Sequence, residues 1–133
     1  MIFNGDTHSS LFAAVFKGRT KKTHVHSTKS MSQSEAEEVY NRLIQRPNIF
    51  GVILVNSDRV PIKSNIANTA ESARYAAMTT ALSEKARHCI RDLDPTNDLT
   101  FLRIRSKKNE IMVAPERDFT LVVIQKVTDI PRE

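Results

Sequence analysis

Glycine, cysteine and tryptophan are nearly missing from this chain, with 3, 1 and 0 copies among 133 residues. Each scarcity excludes a class of chemistry. Glycine stands only at Gly5, Gly18 and Gly51. The chain therefore has no glycine-rich loop to cradle a phosphate with backbone amides, no dinucleotide fingerprint and no nucleophile elbow. Cys89 is the sole cysteine, so no intramolecular disulfide can form, and the chain fits a reducing compartment such as the cytoplasm. The longest apolar run near the N-terminus, Leu11 to Phe16, is too short to cross a bilayer, and basic residues follow it instead of preceding it. Neither secretion nor membrane insertion is expected.

What is present is a modest basic excess, with a formal net charge of +5. Its distribution decides its meaning. Lys17, Arg19, Lys21, Lys22 and Lys29 face only Asp6 in the first 33 residues, and the rest of the chain holds 15 basic and 14 acidic residues. A nearly neutral domain lacks the electrostatic footprint of a nucleic-acid-binding protein, so no nucleic acid is expected as a partner. The chain divides near residue 32. Residues 1–32 mix Ser, Thr, Lys and His without sustained periodicity and read as a disordered extension, and 33–130 read as one domain.

Within that domain the periodicities alternate between helix and strand. Residues 34–46 predict a helix: Ser34 and Glu37 form a capping box, Ala36, Val39, Tyr40, Leu43 and Ile44 share a face, and Pro47 stops it. Phe50 to Val55 is a nearly continuous apolar run, as in a strand covered on both faces. Asn56 to Arg59 turns the chain into a hairpin partner, Val60 to Ser64. A second helix is expected over about 70–91, capped by Asn68 and Glu71. On it, Tyr75, Met78, Leu82, Ala86 and Cys89 form one stripe, expected to face a sheet. Ala70, Ala73, Ala77, Thr80 and Ala81 make an opposite face of small side chains that lets another backbone approach closely.

Asp94-Pro95 breaks that helix. Leu99 to Arg105 then alternates Thr100, Leu102 and Ile104 against Phe101, Arg103 and Arg105, as a strand requires. Ser106 to Asn109 reverses the chain into Ile111, Met112 and Val113. Ala114 to Arg117 is expected to turn it again, with proline at the second position, into a β-branched strand, Phe119 to Val127. The order predicts an α+β fold, α-β-β-α-β-β-β, with a mostly antiparallel five-stranded sheet flanked by helices.

Catalytic chemistry has little to stand on. His8, His24 and His26 lie in the extension without acidic or thiol partners, and adjacent side chains on a helix, such as His88 and Cys89, diverge by about 100°. Cys89 is expected in the core. Asp92, Asp94 and Asp98 gather at a helix-to-strand turn, where carboxylates usually cap or meet water. No catalytic residue, metal or cofactor is expected. Arg103, Arg105, Lys107 and Lys108 form a basic patch at the hairpin. It suits either a protected sheet edge or, with Phe101, an anchor for a second subunit or a peptide helix.

The Asn97 to Pro115 run, the Asn56 to Ser64 hairpin and the helix ending Arg91-Asp92-Leu93-Asp94-Pro95 closely resemble the roadblock family of cytoplasmic dynein light chains, over residues 34–128. The chain departs from that pattern at Arg59, where the family commonly has glycine; a positive φ there would cost roughly 1 kcal/mol of strain. Met31 stands where roadblock light chains usually begin. The resemblance implies a non-catalytic homodimer, with heterodimers among paralogues, that pairs edge strands into a ten-stranded sheet. It also implies binding to the dynein intermediate chain, and cargo adaptors linked to the motor on microtubules. Ala73, Ala77, Thr80, Phe101 and Arg103 would form the dimer interface, and Phe101, Arg103, Arg105 and Tyr40 would meet the partner. An alternative is a roadblock-type scaffold or regulator of a small GTPase.

Overall fold

The computed structural model describes residues 32–127; the N-terminal extension anticipated above lies outside them. Seven elements follow in order: α1 (Gln33–Leu43), β1 (Ile49–Asn56), β2 (Pro61–Ser64), α2 (Thr69–Leu93), β3 (Leu102–Arg105), β4 (Asn109–Pro115) and β5 (Phe119–Lys126). The strands form one five-stranded antiparallel sheet in the order β2-β1-β5-β4-β3. The two most apolar strands, β1 and β5, sit inside it, because only strands covered on both faces can bury such runs.

Two apolar clusters sandwich the sheet. Ala36, Val39, Tyr40 and Leu43 of α1 close over Val52, Leu54, Met112, Leu121 and Val123 on one face. Ala76 of α2 meets Ile53, Val55, Val113, Val122 and Ile124 on the other, flanked by the half-buried Ile66, Tyr75, Leu102 and Ile111. Gly51 has a packing reason to be glycine. A Cβ there would come within 2.8 Å of Ile66 Cδ1 and 2.9 Å of its Cγ1, so the strand approaches that side chain too closely for any larger residue without movement.

Several boundaries differ from the sequence expectation for local reasons. The N-cap of α1 is Ser32, not Ser34: its Oγ accepts the Glu35 amide at 3.2 Å, so the capping pair lies two residues earlier. The helix ends at Leu43 with Ile44 as C-cap, well before Pro47. β3 begins at Leu102, not Leu99, because side chains capture the preceding amides. Asp94 Oδ1 accepts the Thr96 amide at 3.0 Å, Asn97 Oδ1 that of Asp98 at 2.9 Å, and Asp98 Oδ1 that of Leu99 at 2.9 Å. A backbone engaged locally in this way does not enter a ladder. Pro115 belongs to β4, paired with Thr120, and the turn sits one residue later, where the Glu116 amide donates to the Phe119 carbonyl at 2.8 Å.

The largest correction concerns α2. Of the expected stripe Tyr75, Met78, Leu82, Ala86 and Cys89, Tyr75 alone joins the α2-side cluster, and the buried line is Ser72, Ala76, Thr79, Thr80 and Ser83. Met78 is 66% exposed and Leu82 45%. Cys89, expected in the core, is exposed. Small residues let the helix lie close to the sheet, and three of the four buried hydroxyls bond carbonyls of their own helix, that of Ser72 being buried without a hydrogen-bond partner. Thr79 Oγ1 donates to the Tyr75 carbonyl at 2.6 Å, Thr80 Oγ1 to that of Ala76 at 2.7 Å, and Ser83 Oγ to that of Thr80 at 2.9 Å. A hydroxyl bonded this way is buried at little cost. The polar letters in the sequence therefore concealed the core face of the helix.

Candidate interaction surface

At about 100° per residue, the buried line of α2 divides the rest of the helix into two flanks. Glu84 forms an ion pair with Arg59 in the β1–β2 turn, which places the flank of Ala73, Ala77 and Glu84 on the β2 side. Tyr75, Met78 and Leu82 lie on the opposite flank, toward β4 and β3. There they continue into the sheet. Leu102 and Ile104 stand opposite Val113 and Ile111 and are half-buried, and Leu102, Val113 and Ile111 all belong to the α2-side packing. Beyond β3 no described strand pairs, so its outer backbone edge is open. The result is one apolar strip, Tyr75, Met78, Leu82, Leu102 and Ile104, running from a helix flank onto an unpaired strand. Exposed apolar surface of this kind marks association.

The residues singled out from sequence distribute unevenly around this strip. Ala73 and Ala77 are exposed, and at about 100° per residue they fall on the flank of α2 opposite Tyr75 and Leu82. Thr80 is buried within the protomer and is not an accessible contact. Phe101 precedes β3 and packs, half-buried, on the α1-side cluster. Arg103 stands opposite Met112, so it too lies on the α1 face, where it forms an ion pair with the buried Glu110. Arg105 and the rest of the basic patch, Lys107 and Lys108, are exposed. Tyr40 is 4% exposed: it is a core residue of α1, with Lys63 Nζ 4.9 Å above its ring, and burial raises the pKa of its phenol. Phe101, Arg103, Arg105 and Tyr40 thus share the α1 side of the sheet, while Leu102 and Ile104 lie on the α2 side. Met78 and Leu82 escaped because their 3.6-residue periodicity reads as core; only their flanking position beside an edge strand gives them away.

Among the described residues no cluster of histidine, cysteine, aspartate and glutamate is arranged to hold a metal, and no helix is long and apolar enough to cross a membrane. The acidic turn after α2 is already engaged. Asp94 is held below the ordinary aspartate range by the Thr96 hydroxyl and amide. Asp98 feels slight desolvation, which raises its pKa, but its bond from the Leu99 amide and the Arg87 guanidinium, together with the charge of Arg91, bring it below the ordinary range overall. Arg87 grips both carboxylate oxygens of Asp98, at 2.9 and 3.1 Å.

The order of a helix, a hairpin, a long helix and a three-stranded return agrees with the family comparison. The Roadblock/LC7 domain model matches residues 35–126. The chain belongs to the Roadblock/LC7 domain family. Among solved structures, the crystal structure of a Roadblock/LC7 domain from Streptomyces avermitilis superposes with a TM-score of 0.60 over 65% of this chain and 73% of that one, at 12% identity. At that identity the likeness is one of fold. The Roadblock/LC7 match coincides with the two packed helices and the sheet, and begins just inside α1. Roadblock/LC7 domains occur in dynein light chains and also in regulators of GTPases, and the family is generally non-catalytic.

Proposed function

We propose that this Roadblock/LC7 protein is a non-catalytic accessory light chain of cytoplasmic dynein. It acts in the cytoplasm as a homodimer that binds the dynein intermediate chain and helps link cargo to the motor on microtubules. The observation that carries the reading is the apolar strip of Met78, Leu82, Leu102 and Ile104 beside the open β3 edge. A second copy would extend the sheet across that edge to ten strands and cover the strip at the same time. The dynein branch is favoured over GTPase regulation by the Asn97 to Pro115 run and by Arg91-Asp92-Leu93-Asp94-Pro95, which resemble the light chains. Dimerisation leaves the α1 face free, with exposed Arg105 and half-buried Phe101 available to a peptide helix.

Affinity capture from cell extract separates the two classes of partner. Recovery of dynein intermediate chain, independent of added nucleotide, supports the proposal; recovery of a small GTPase that depends on the bound nucleotide replaces it with the regulatory role. Arg105→Glu is the cleaner probe of the arginine face, because Arg103→Glu would set a second carboxylate against the buried Glu110 and damage the sheet. If Arg105 meets the intermediate chain, that charge reversal should weaken binding by about 1 to 2 kcal/mol while leaving the dimer intact.

A further inference from the structure

Apart from the apolar strip, the end of the sheet where β1 and β4 finish and β5 begins holds a cleft of about 160 Å³. It lies where the β1–β2 turn and the β4–β5 turn converge beneath the middle of α2, and none of the association surface described above enters it. Three guanidinium groups border it from three separate elements: Arg59 from the first turn, Arg87 from α2 and Arg117 from the second turn. Two are already committed, Arg59 to Glu84 and Arg87 to Asp98. Arg117 is not. Among the described residues neither its guanidinium nor the hydroxyls of Ser57 and Thr120, which also border the cleft, has a hydrogen-bond partner.

Backbone conformation singles out the same place. Arg59 has φ 63°, the only positive φ of a non-glycine residue among those described. The left-handed region costs a side-chain-bearing residue roughly 1 kcal/mol, and such strain concentrates where function demands it. A glycine would remove the strain but would leave the cleft without one of its cations.

From these features we infer that the cleft binds a single phosphoryl group. Arg117, Ser57 and Thr120 supply uncommitted donors from two turns and a strand, and a phosphoryl group carries enough acceptor oxygens to meet all three. Arg59 and Arg87, each tied to a carboxylate partner, frame the cleft without adding net charge, which leaves Arg117 as the cation that meets the ligand. No glycine-rich loop is involved, so the recognition is by side chains and differs from a backbone phosphate cradle. Because Glu84 and Glu116 also border the cleft, its net charge is small.

The test is a nitrogen-15 NMR titration of the full chain at constant ionic strength, with inorganic phosphate, with a capped phosphoserine tripeptide and with acetate. Saturable shifts of the Ser57, Arg59, Arg117 and Thr120 amides, weakened about tenfold or more in Arg117→Gln, are expected with phosphate or with the peptide. Equal affinity for the two identifies the free ion as the ligand. A peptide affinity about tenfold tighter identifies a phosphorylated side chain of a partner. Non-saturating shifts, shifts spread over Arg105, Lys107 and Lys108, saturation by acetate at equal strength, or shifts that persist unchanged in Arg117→Gln would each overturn the assignment. Arg117 is exposed on a turn, so its replacement tests the cleft without endangering the core.

Discussion

Arg59 shows how a single side chain can be both misplaced by backbone preference and retained by its neighbours. Its φ of 63° suits glycine, and the turn is held by Asn56 Oδ1, which accepts the amides of Asp58 and Val60 at 3.0 Å each. The ion pair to Glu84 joins side chains that are each about half exposed, so it offsets only a few tenths of a kcal/mol of the strain. Arg59→Gly should therefore leave stability unchanged or raise it by up to about 1 kcal/mol. Arg59→Val, whose branched Cβ resists positive φ, should lower it by about 1 to 2 kcal/mol. Denaturant midpoints that place valine level with glycine would show that the turn rearranges freely. A second expectation at this scale concerns Asp98. Its folded pKa lies below the ordinary aspartate value, so its contribution to stability is fully present above that range and is lost as the pH falls through the depressed folded value. Arg87→Gln removes the guanidinium that helps depress it. The acid side of the stability curve should then flatten, and an unfolding profile below pH about 4 that superposes on wild type would contradict the role given to Arg87.

At the scale of elements, α2 is the part most easily misread. Its aliphatic residues look like the core face and its serines and threonines like the solvent face, yet packing reverses the two. The physical reason is that a helix hydroxyl can bond its own i−4 or i−3 carbonyl and then behave as a small neutral group, whereas Met78 and Leu82 are too large to fit where the helix rests against β1 and β5. The double change Met78→Glu and Leu82→Glu should leave a folded protein, because neither side chain supports the monomer core. It should also abolish self-association, seen by light scattering as a fall to the monomer mass. Ala77→Arg, on the opposite flank, should be far less disruptive to assembly. If Ala77→Arg dissociates the protein and the double change does not, the interface lies on the β2 flank instead.

For the molecule as a whole, the described residues close two apolar clusters around the sheet. Residues 1–30 offer no periodic apolar face in the sequence, so their removal should leave Tm and the dimer mass nearly unchanged. A fall of several degrees would mean that Leu11 to Phe16 packs on the domain. The Roadblock/LC7 fold itself was legible from sequence. The apolar runs of β1 and β5 mark inner strands, Asn68 and Glu71 mark the start of α2, and the hairpin letters around Asn56 and Ser106 mark reversals.

Those features are local: caps, turns and alternation act between residues a few positions apart, and the letters carry them directly. What the sequence by itself determined was the type and order of the elements, the inner position of the most apolar strands, and the absence of glycine-built phosphate and nucleotide sites. The register of the sheet, the side of α2 that faces it, and the meeting of Arg59, Arg87 and Arg117 around one cleft were decided only by the tertiary structure. Each depends on which distant segments come together and on how closely their side chains allow them to approach, and that is a property of packing, not of any stretch of sequence.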